Sequence, residues 1–360
     1  MNVRELLKNK TNEEISQLAS DLHLQLQEYG NLYMLSFTDE SDFKNETVRE
    51  MNGVILEKET NKIVHHAFSK TYDCFFTPQP GMISVYNDPY TEEFNEDDVK
   101  IEHFIEGSLI RVYWYDEKWN IGTARSINGA LSHWSSDKSF KELFTEALEY
   151  QNDSIENLDK NFCYTYILQH PESKICLDIT SPFCMMMNRV NLETLEEERF
   201  TQGYQTGKTF KEMMEEVDKN EDITKNYLVY LPNGARVRVM NGKYFAIQSA
   251  INNNPSLNWV YLEAIKNGTY MMIRDAFKSE IGRFEDIDDA FQETMELIHL
   301  AYLKRNVKRD QGFEVPKRYE RTVAQLHGYY RKTKNVITKD VVRDKLLELD
   351  TKLLYYVLAI

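Results

Sequence analysis

Glu102-His103-Phe104-Ile105-Glu106-Gly107-Ser108-Leu109-Ile110 decides how the rest of this chain is read. Adjacent side chains on a strand point to opposite faces, so His103 and Phe104 cannot serve the same one. Lys100 shares a face with Phe104, but four residues at ~3.3 Å each place it about 13 Å away. Glu106 can accept hydrogen bonds from nearby backbone, and Gly107 permits a tight bend. After the bend, residues 109–115 and 119–124 flank Asp116-Glu117-Lys118 and predict a hairpin. A phenylalanine has no lone pair, so Phe104 cannot act as a nucleophile.

The chain has 360 residues, enough for one large domain and a smaller one around a well-buried core. Hydrophobic residues make up 42% and aromatics 12%, a globular rather than disordered composition. The net charge of -15 argues against a surface coated everywhere in nucleic acid, while leaving room for a local basic patch. Cys74, Cys163, Cys176 and Cys184 form no Cys-x-x-Cys pair and read as reduced thiols of a cytoplasmic protein. The N-terminus is too polar for a signal peptide, and no window of ~18 apolar residues predicts a membrane span. The abundance of Asn, Lys, Tyr and Asp suits an AT-rich genome such as a viral one.

Along the chain, residues 11–29 predict a helix opened by a Thr11/Glu14 capping box, with Ile15, Leu18, Leu22 and Leu26 at helical spacing. Residues 33–130 are β-rich, with a hairpin formed by 54–56 and 63–65. Residues 138–151 predict a helix, 164–169 and 175–179 strands, and 208–218 a short helix. A third hairpin, 227–231 with 235–240, turns at Pro232-Asn233-Gly234. Residues 92–98 read as a solvated acidic loop, and His65-His66 as strand surface. Met185-Met186-Met187 reads as packing. From 243 on the pattern is helical: 243–252, 256–279, 284–307, 317–332 and 339–358. The predicted domains are 1–242 and 243–360.

Five segments in order resemble the bacteriophage T4-type ATP-dependent RNA ligase family, within the ligase and capping-enzyme nucleotidyltransferases. They are Val48-Arg49-Glu50-Met51-Asn52-Gly53-Val54-Ile55, Ala67-Phe68-Ser69-Lys70-Thr71-Tyr72-Asp73, Glu106-Gly107-Ser108-Leu109-Ile110, His170-Pro171-Glu172-Ser173-Lys174-Ile175, and residues 226–244. The likeness covers roughly residues 33–245. It implies an α+β fold: a ligase-type domain of twisted antiparallel sheets with flanking helices, then an all-helical C-terminal domain. It also implies a lysine nucleophile within Lys-x-Asp-Gly, carboxylates that hold a metal, and a Lys-x-Lys strand with an early arginine that neutralise a triphosphate.

This sequence departs from the pattern at each working position. Phe104 stands for the nucleophilic lysine and Asn52 for the early arginine. Ile167 stands for the metal-binding glutamate, and neither Leu168 nor Gln169 restores a charge. Lys225-Asn226 replaces Glu-Gly, which reverses a charge at a site that would face a cation. Arg238 and Met240 replace the two lysines. Lys70, Glu106 and Gly107 are retained. With Arg238 they form the candidate residual nucleotide or phosphate pocket, in which Phe104 would pack on a base. The alternative is purely structural: Glu106 bonded to backbone, Gly107 in a bend and Lys70 on the surface. No metal site is expected, and ATP with Mg would be cofactors only of an active ligase.

The second candidate surface lies between residues 304 and 339, where eleven basic residues face only Asp310, Glu314 and Glu320. Arg305, Lys308, Arg309, Lys317, Arg318, Arg321, Arg331 and Lys332 are its candidate RNA-binding residues. Phe313, Tyr319, Tyr329 and Tyr330 are interleaved, a mixture that suits phosphates and stacked bases. The alternative is a solvated helix face with core aromatics. Gly207-Lys208-Thr209 lacks the upstream glycine and strand of a phosphate-binding loop. The last helix, 341–360, ends in an apolar run expected to dock on its own domain or to contact a protein partner or second copy. The expected function is a catalytically degenerate RNA-ligase-like protein, viral, in host cytoplasm or virion, which keeps the scaffold for nucleic-acid or protein interaction. A divergent active RNA ligase and a structural assembly component are the alternatives.

Overall fold

A computed structural model describes residues 3–76, 82–85, 91–93, 95–200, 205–219, 222–232 and 234–360, with side chains of 74–76, 82–85 and 91–93 left aside. Two units divide the chain, Met1–Ala246 and Ile247–Ile360. The first contains α1 (Val3–Leu7), α2 (Asn12–Asp21), β1 (Leu24–Tyr29), β2 (Leu32–Phe37), α3 (Glu46–Glu50), β3 (Asn52–Glu57), β4 (Ile63–His65), β5 (Thr71–Phe76), β6 (Met82–Val85) and β7 (Thr91–Glu93). It continues with β8 (Lys100–His103), β9 (Ser108–Tyr115), β10 (Lys118–Thr123), α4 (Phe140–Tyr150), β11 (Phe162–Gln169), β12 (Phe183–Asn191), β13 (Glu197–Arg199), α5 (Phe210–Lys219), β14 (Tyr227–Tyr230) and β15 (Arg236–Val239). The helix α6 (Gly242–Ile251) runs across the division. The second unit holds α7 (Leu257–Asn267), α8 (Tyr270–Ala276), α9 (Ile281–Tyr302), α10 (Glu320–Thr333), α11 (Lys339–Leu347) and α12 (Thr351–Leu358).

The strands make three sheets, in the orders β1-β2-β3-β4, β10-β9-β11-β12-β13 and β7-β6-β5-β15-β14-β8. Among the described pairs only β15–β5 is parallel. The first sheet is buried on both faces, and period-two alternation shows why. Tyr33, Leu35, Val54 and Leu56 face Val3, Leu7 and Ile15 of α1 and α2. Leu32, Met34 and Ile55 face Tyr113, Cys163 and Val190 of the second sheet. The other face of that second sheet, through Val112, Tyr164, Tyr166 and Leu168, packs on Phe144 and Leu148 of α4. The third sheet closes on α5 through Val229, Val237, Phe210 and Met213. The architecture is α+β, with largely antiparallel sheets followed by a helical C-terminal region.

Several elements differ from the sequence expectation. The helix from Thr11 stops at Asp21, and residues 24–29 form β1 instead. Leu22 and Leu26 continue the helical spacing of Ile15 and Leu18, but Leu22, Leu24 and Leu26 also alternate with period two, and pairing with β2 wins. Residues 175–179 are irregular, while Phe183–Asn191, with its three methionines, is a strand. Within 92–98, residues 92–93 belong to β7 and 96–98 form a 3-10 turn. Phe94 and Asn233 lie outside the described residues. His65 is not strand surface: it is fully buried beside Arg111. The helix expected over 256–279 breaks at Gly268, which caps α7 in the left-handed region. Of the helix expected over 284–307, residues 284–302 lie in α9, which starts at Ile281, and Leu303–Val307 form a wider π-helical turn after it. The final helix divides where Asp350 caps α12. In the second unit α12 buries Leu354, Val357 and Leu358, and Tyr355 stacks on Trp259 of α7.

Candidate functional site

The segment Phe104–Gly107 carries the chain from β8 of the third sheet to β9 of the second. The Phe104 N–H donates to the Asn226 carbonyl at 2.9 Å. Gly107 lies against β11: a Cβ there would sit 2.4 Å from Ile167 Cγ2 and 2.6 Å from the Leu168 carbonyl oxygen. Gly107 is thus required by close approach of a neighbouring strand. The Arg238 guanidinium lies over the Phe104 ring, 5.1 Å from its centroid. Phe104, Glu106, Gly107, Ile167, Asn226 and Arg238 therefore come together from four separate segments: the β8–β9 connection, β11, the residue before β14, and β15.

The side chains of Glu106, Arg238 and Asn226 are all bonded within the protein. Glu106 is buried; its Oε1 accepts from the backbone N–H groups of Cys176 (3.0 Å) and Leu177 (2.9 Å). Its Oε2 accepts from the Tyr244 hydroxyl at 2.5 Å. Gln169 Nε2 donates to the Glu106 carbonyl at 2.7 Å. Arg238 makes a two-pronged pair with Asp73, at 2.7 and 2.8 Å, across the parallel β15–β5 register. Burial pulls the Arg238 guanidinium down, but its bonds and charge pairing with Asp73 outweigh this and hold it above its ordinary value. Burial first, then the charge of Glu106, pushes both the Tyr244 hydroxyl and the Cys176 thiol far up. Neither is a ready nucleophile at neutral pH.

Asn226 is buried too; its Oδ1 accepts from Asn241 N–H and its Nδ2 donates to the Ile223 carbonyl, each at 2.8 Å. Lys225, half-buried, contributes with burial and Lys208 to holding His103 below its ordinary range. Met240 is half-buried at the end of β15. Asn52 is spent on a bond from Nδ2 to the Phe68 carbonyl (2.9 Å). Lys70 lies among aromatics, its ammonium 2.9 Å from the Phe43 centroid and within 5.6 Å of those of Tyr72 and Phe37. The sequence did not single out Tyr244, Cys176 or the pairing role of Asp73. Asp73 stood inside a quoted motif, but its partner is 165 residues away.

Glu146, His170 and Glu172 place one potential ligand atom each within 4.8 Å of the others. Lys138 sits between the two carboxylates, 3.0 Å from Glu146 and 2.7 Å from Glu172. His170 Nδ1 accepts the Glu172 N–H at 3.1 Å, which leaves the proton on Nε2, facing Glu146 at 3.3 Å. A protonated nitrogen has no lone pair for a metal, so the cluster closes on itself as an ion-pair network.

In the second unit the candidate basic residues follow the end of α9 and line α10. The chain widens there, Lys308 N–H bonding to the Leu303 carbonyl five residues back. Arg305, Lys308, Arg309, Lys317, Arg321, Arg331 and Lys332 are exposed and Arg318 is half-buried. None of the eight makes an ion pair among the described residues. Of the interleaved aromatics, Tyr319 is core, while Tyr330 is exposed and stacks on His327. No described helix is long and apolar enough to cross a membrane.

No family model matches the chain. It is 23% identical over 299 residues to an immediate-early protein ICP-46 homolog of Invertebrate iridescent virus 3, covering 75% of this chain and 64% of that protein. The homolog of Invertebrate iridescent virus 6 is also 23% identical, over 71% of this chain and 66% of the relative. The matches thus span just under two thirds of those relatives' lengths. Over 130 residues the chain is 31% identical to a protein of Autographa californica nuclear polyhedrosis virus provisionally named a bifunctional polynucleotide kinase/RNA ligase, covering 36% of this chain and 18% of that one. A solved structure provisionally named ATP-dependent DNA ligase from Aquifex aeolicus aligns over 90% of this chain and 82% of its own, with 11% identity and a TM-score of 0.33. The curated relatives named here are all viral proteins.

Proposed function

We propose that this chain is a viral RNA-ligase-like protein that has lost nucleotidyl transfer and keeps the scaffold for binding RNA. The observation that carries the first half is the occupancy of its own nucleotide site. Covalent transfer needs an amine at the position of Phe104 and carboxylates for a cation. Phe104 instead supports Arg238, Arg238 is held by Asp73, and the one retained acid, Glu106, has both oxygens bonded to protein donors. Ile167 and Lys225 offer a metal nothing at the positions where carboxylates are expected. The local likeness to a viral protein named for RNA ligation supports the ancestry.

The second half rests on the exposed basic residues of the C-terminal unit, which phosphates would neutralise. Incubation with α-labelled ATP or GTP and Mg²⁺ or Mn²⁺ is expected to leave no label on the chain. Phe104→Lys alone is expected to stay unlabelled, because the cation ligands are missing as well. Stoichiometric label on the wild-type protein would overturn the reading in favour of an active ligase. Single-stranded RNA should bind at low salt and weaken on Arg318→Glu with Arg331→Glu. Binding unchanged by that pair would remove RNA from this surface.

A further inference from the structure

A cavity of about 730 Å³ in the first unit lies apart from the nucleotide site, between α1, the β3–β4 turn, the start of β11 and the end of β12. Arg4, Lys8, Lys62 and Lys160 line it, and Glu193 is the only acid among its lining residues. This is unexpected from composition. Residues 1–246 hold 42 Asp and Glu against 25 Lys and Arg, and other cations of this unit are drawn to carboxylates: Lys58 to Glu28, Lys174 to Asp178, Arg189 to Glu198. None of the four cavity cations has such a partner among the described residues.

Two of the four are held in place by neutral groups. Arg4 donates to the backbone carbonyls of Leu192 (2.5 Å) and Glu193. The Lys160 ammonium sits 3.7 Å from the Trp114 ring centroid. Both are held by neutral groups and keep their charge. Lys8, Lys62 and Lys160 are exposed and leave it open to a passing chain.

We propose that this cavity binds the sugar–phosphate backbone of a nucleic-acid strand, independently of sequence. Positive charge gathered at this density favours successive phosphates. A nucleotide pocket would also need a bare apolar face for the base. Here Phe162, the aromatic residue of the lining, is covered by Arg189, whose guanidinium lies 4.3 Å from the ring centroid. The lining amides are partly engaged within the protein: Asn61 Nδ2 donates to the Lys10 carbonyl, Asn161 Nδ2 donates to Asp159, and Asn191 Oδ1 accepts from Glu193 and Thr194 N–H groups. This site does not depend on the basic surface of the second unit.

The test uses the full chain carrying Arg318→Glu and Arg331→Glu, so that remaining affinity reports on the cavity. A fluorescein-labelled 12-nucleotide oligouridylate is titrated between 25 and 200 mM salt. The cavity should give a log–log salt slope of about -2, three phosphates at about 0.7 each for a single strand. Adding Lys8→Glu, Lys62→Glu and Lys160→Glu should lower affinity at least tenfold at low salt and flatten the slope. The Gln triple should fall in between. Because the three lysines are exposed, thermal unfolding should be unchanged and serves as the folding control. Equal binding with and without the triple substitution overturns the proposal. Displacement of the strand by inorganic triphosphate at equimolar concentration also overturns it, by making the cavity a small-polyphosphate site.

Discussion

Gly53 and Arg111 show how much a single residue can fix here. Gly53 has φ +73°, and a Cβ on it would lie 2.3 Å from the Arg111 guanidinium. Arg111 is fully buried, with Nε donating to the Thr123 carbonyl (2.9 Å) and Nη1 3.4 Å from His65 Nδ1. Burial lowers the guanidinium to about 10. Gly53→Ala is therefore expected to cost about 3 kcal/mol, combining left-handed strain with displacement of a buried cation. Urea unfolding checks this; a loss below about 1 kcal/mol would mean that the guanidinium moves aside freely. Gly53 was legible as part of a motif. Arg111 was not, because nothing in Ile110-Arg111-Val112 tells an exposed arginine from one that pins two sheets together. At the candidate site, Glu106 and Gly107 were legible as a bend, and the absence of a nucleophile was legible at Phe104. That Arg238 would rest on that ring, and that Tyr244 would hold Glu106, depends on contacts between segments more than 130 residues apart.

Elements were legible where a local signal agreed with long-range packing. The helix α4 has both: Ser139 and Glu142 form a capping box, and Phe140, Leu143, Phe144, Ala147 and Leu148 fall on its buried face. Ser139→Ala removes the hydroxyl that accepts the Glu142 N–H, and a stability loss of about 1 kcal/mol is expected. Ser139→Asp, which keeps an acceptor at the cap, should recover part of it. If the alanine variant melts like wild type, the cap contributes nothing beyond the packing of the helix. The capping box at Thr11 was equally readable and correctly started α2, but it could not say where the helix ends. Residues 22–29 are apolar at both helical and strand spacing. The deciding fact is the hairpin across Gly30-Asn31, where Tyr29 pairs with Leu32 and Gly30 takes φ +55°. Strand β12 was missed for a similar reason. A run of methionines has no marked period, and only its place beside β11 makes it a strand.

For the whole molecule, the sequence made an α+β chain with a helical end legible from the change in hydrophobic period near residue 243. It did not make legible which polar groups the three sheets enclose, and those groups govern how stability responds to pH. Burial, with Arg111 nearby, holds His65 well below its ordinary range and lowers His66 to about 4. Unfolded, both would take a proton near pH 6.5, so the unfolded chain binds more protons between that pH and the folded values. Stability from these histidines is complete above pH 6.5 and falls as pH drops through the window down to about 4. On the alkaline side, burial pushes the Cys163 and Cys184 thiols up to about 12 from an ordinary value near 9. There the folded chain holds the protons, so stability is complete below pH 9 and falls as pH rises towards 12. Each fully linked group contributes a slope of about 1.4 kcal/mol per pH unit. Urea midpoints measured from pH 4 to 11 should thus form a plateau between about pH 7 and 9, with losses on both sides. Cys163→Ala should make the alkaline limb shallower by about one group's slope while lowering the plateau through lost packing. An alkaline limb equally steep in that variant would show that Cys163 ionises without unfolding, and would place it outside the sealed layer between the first two sheets.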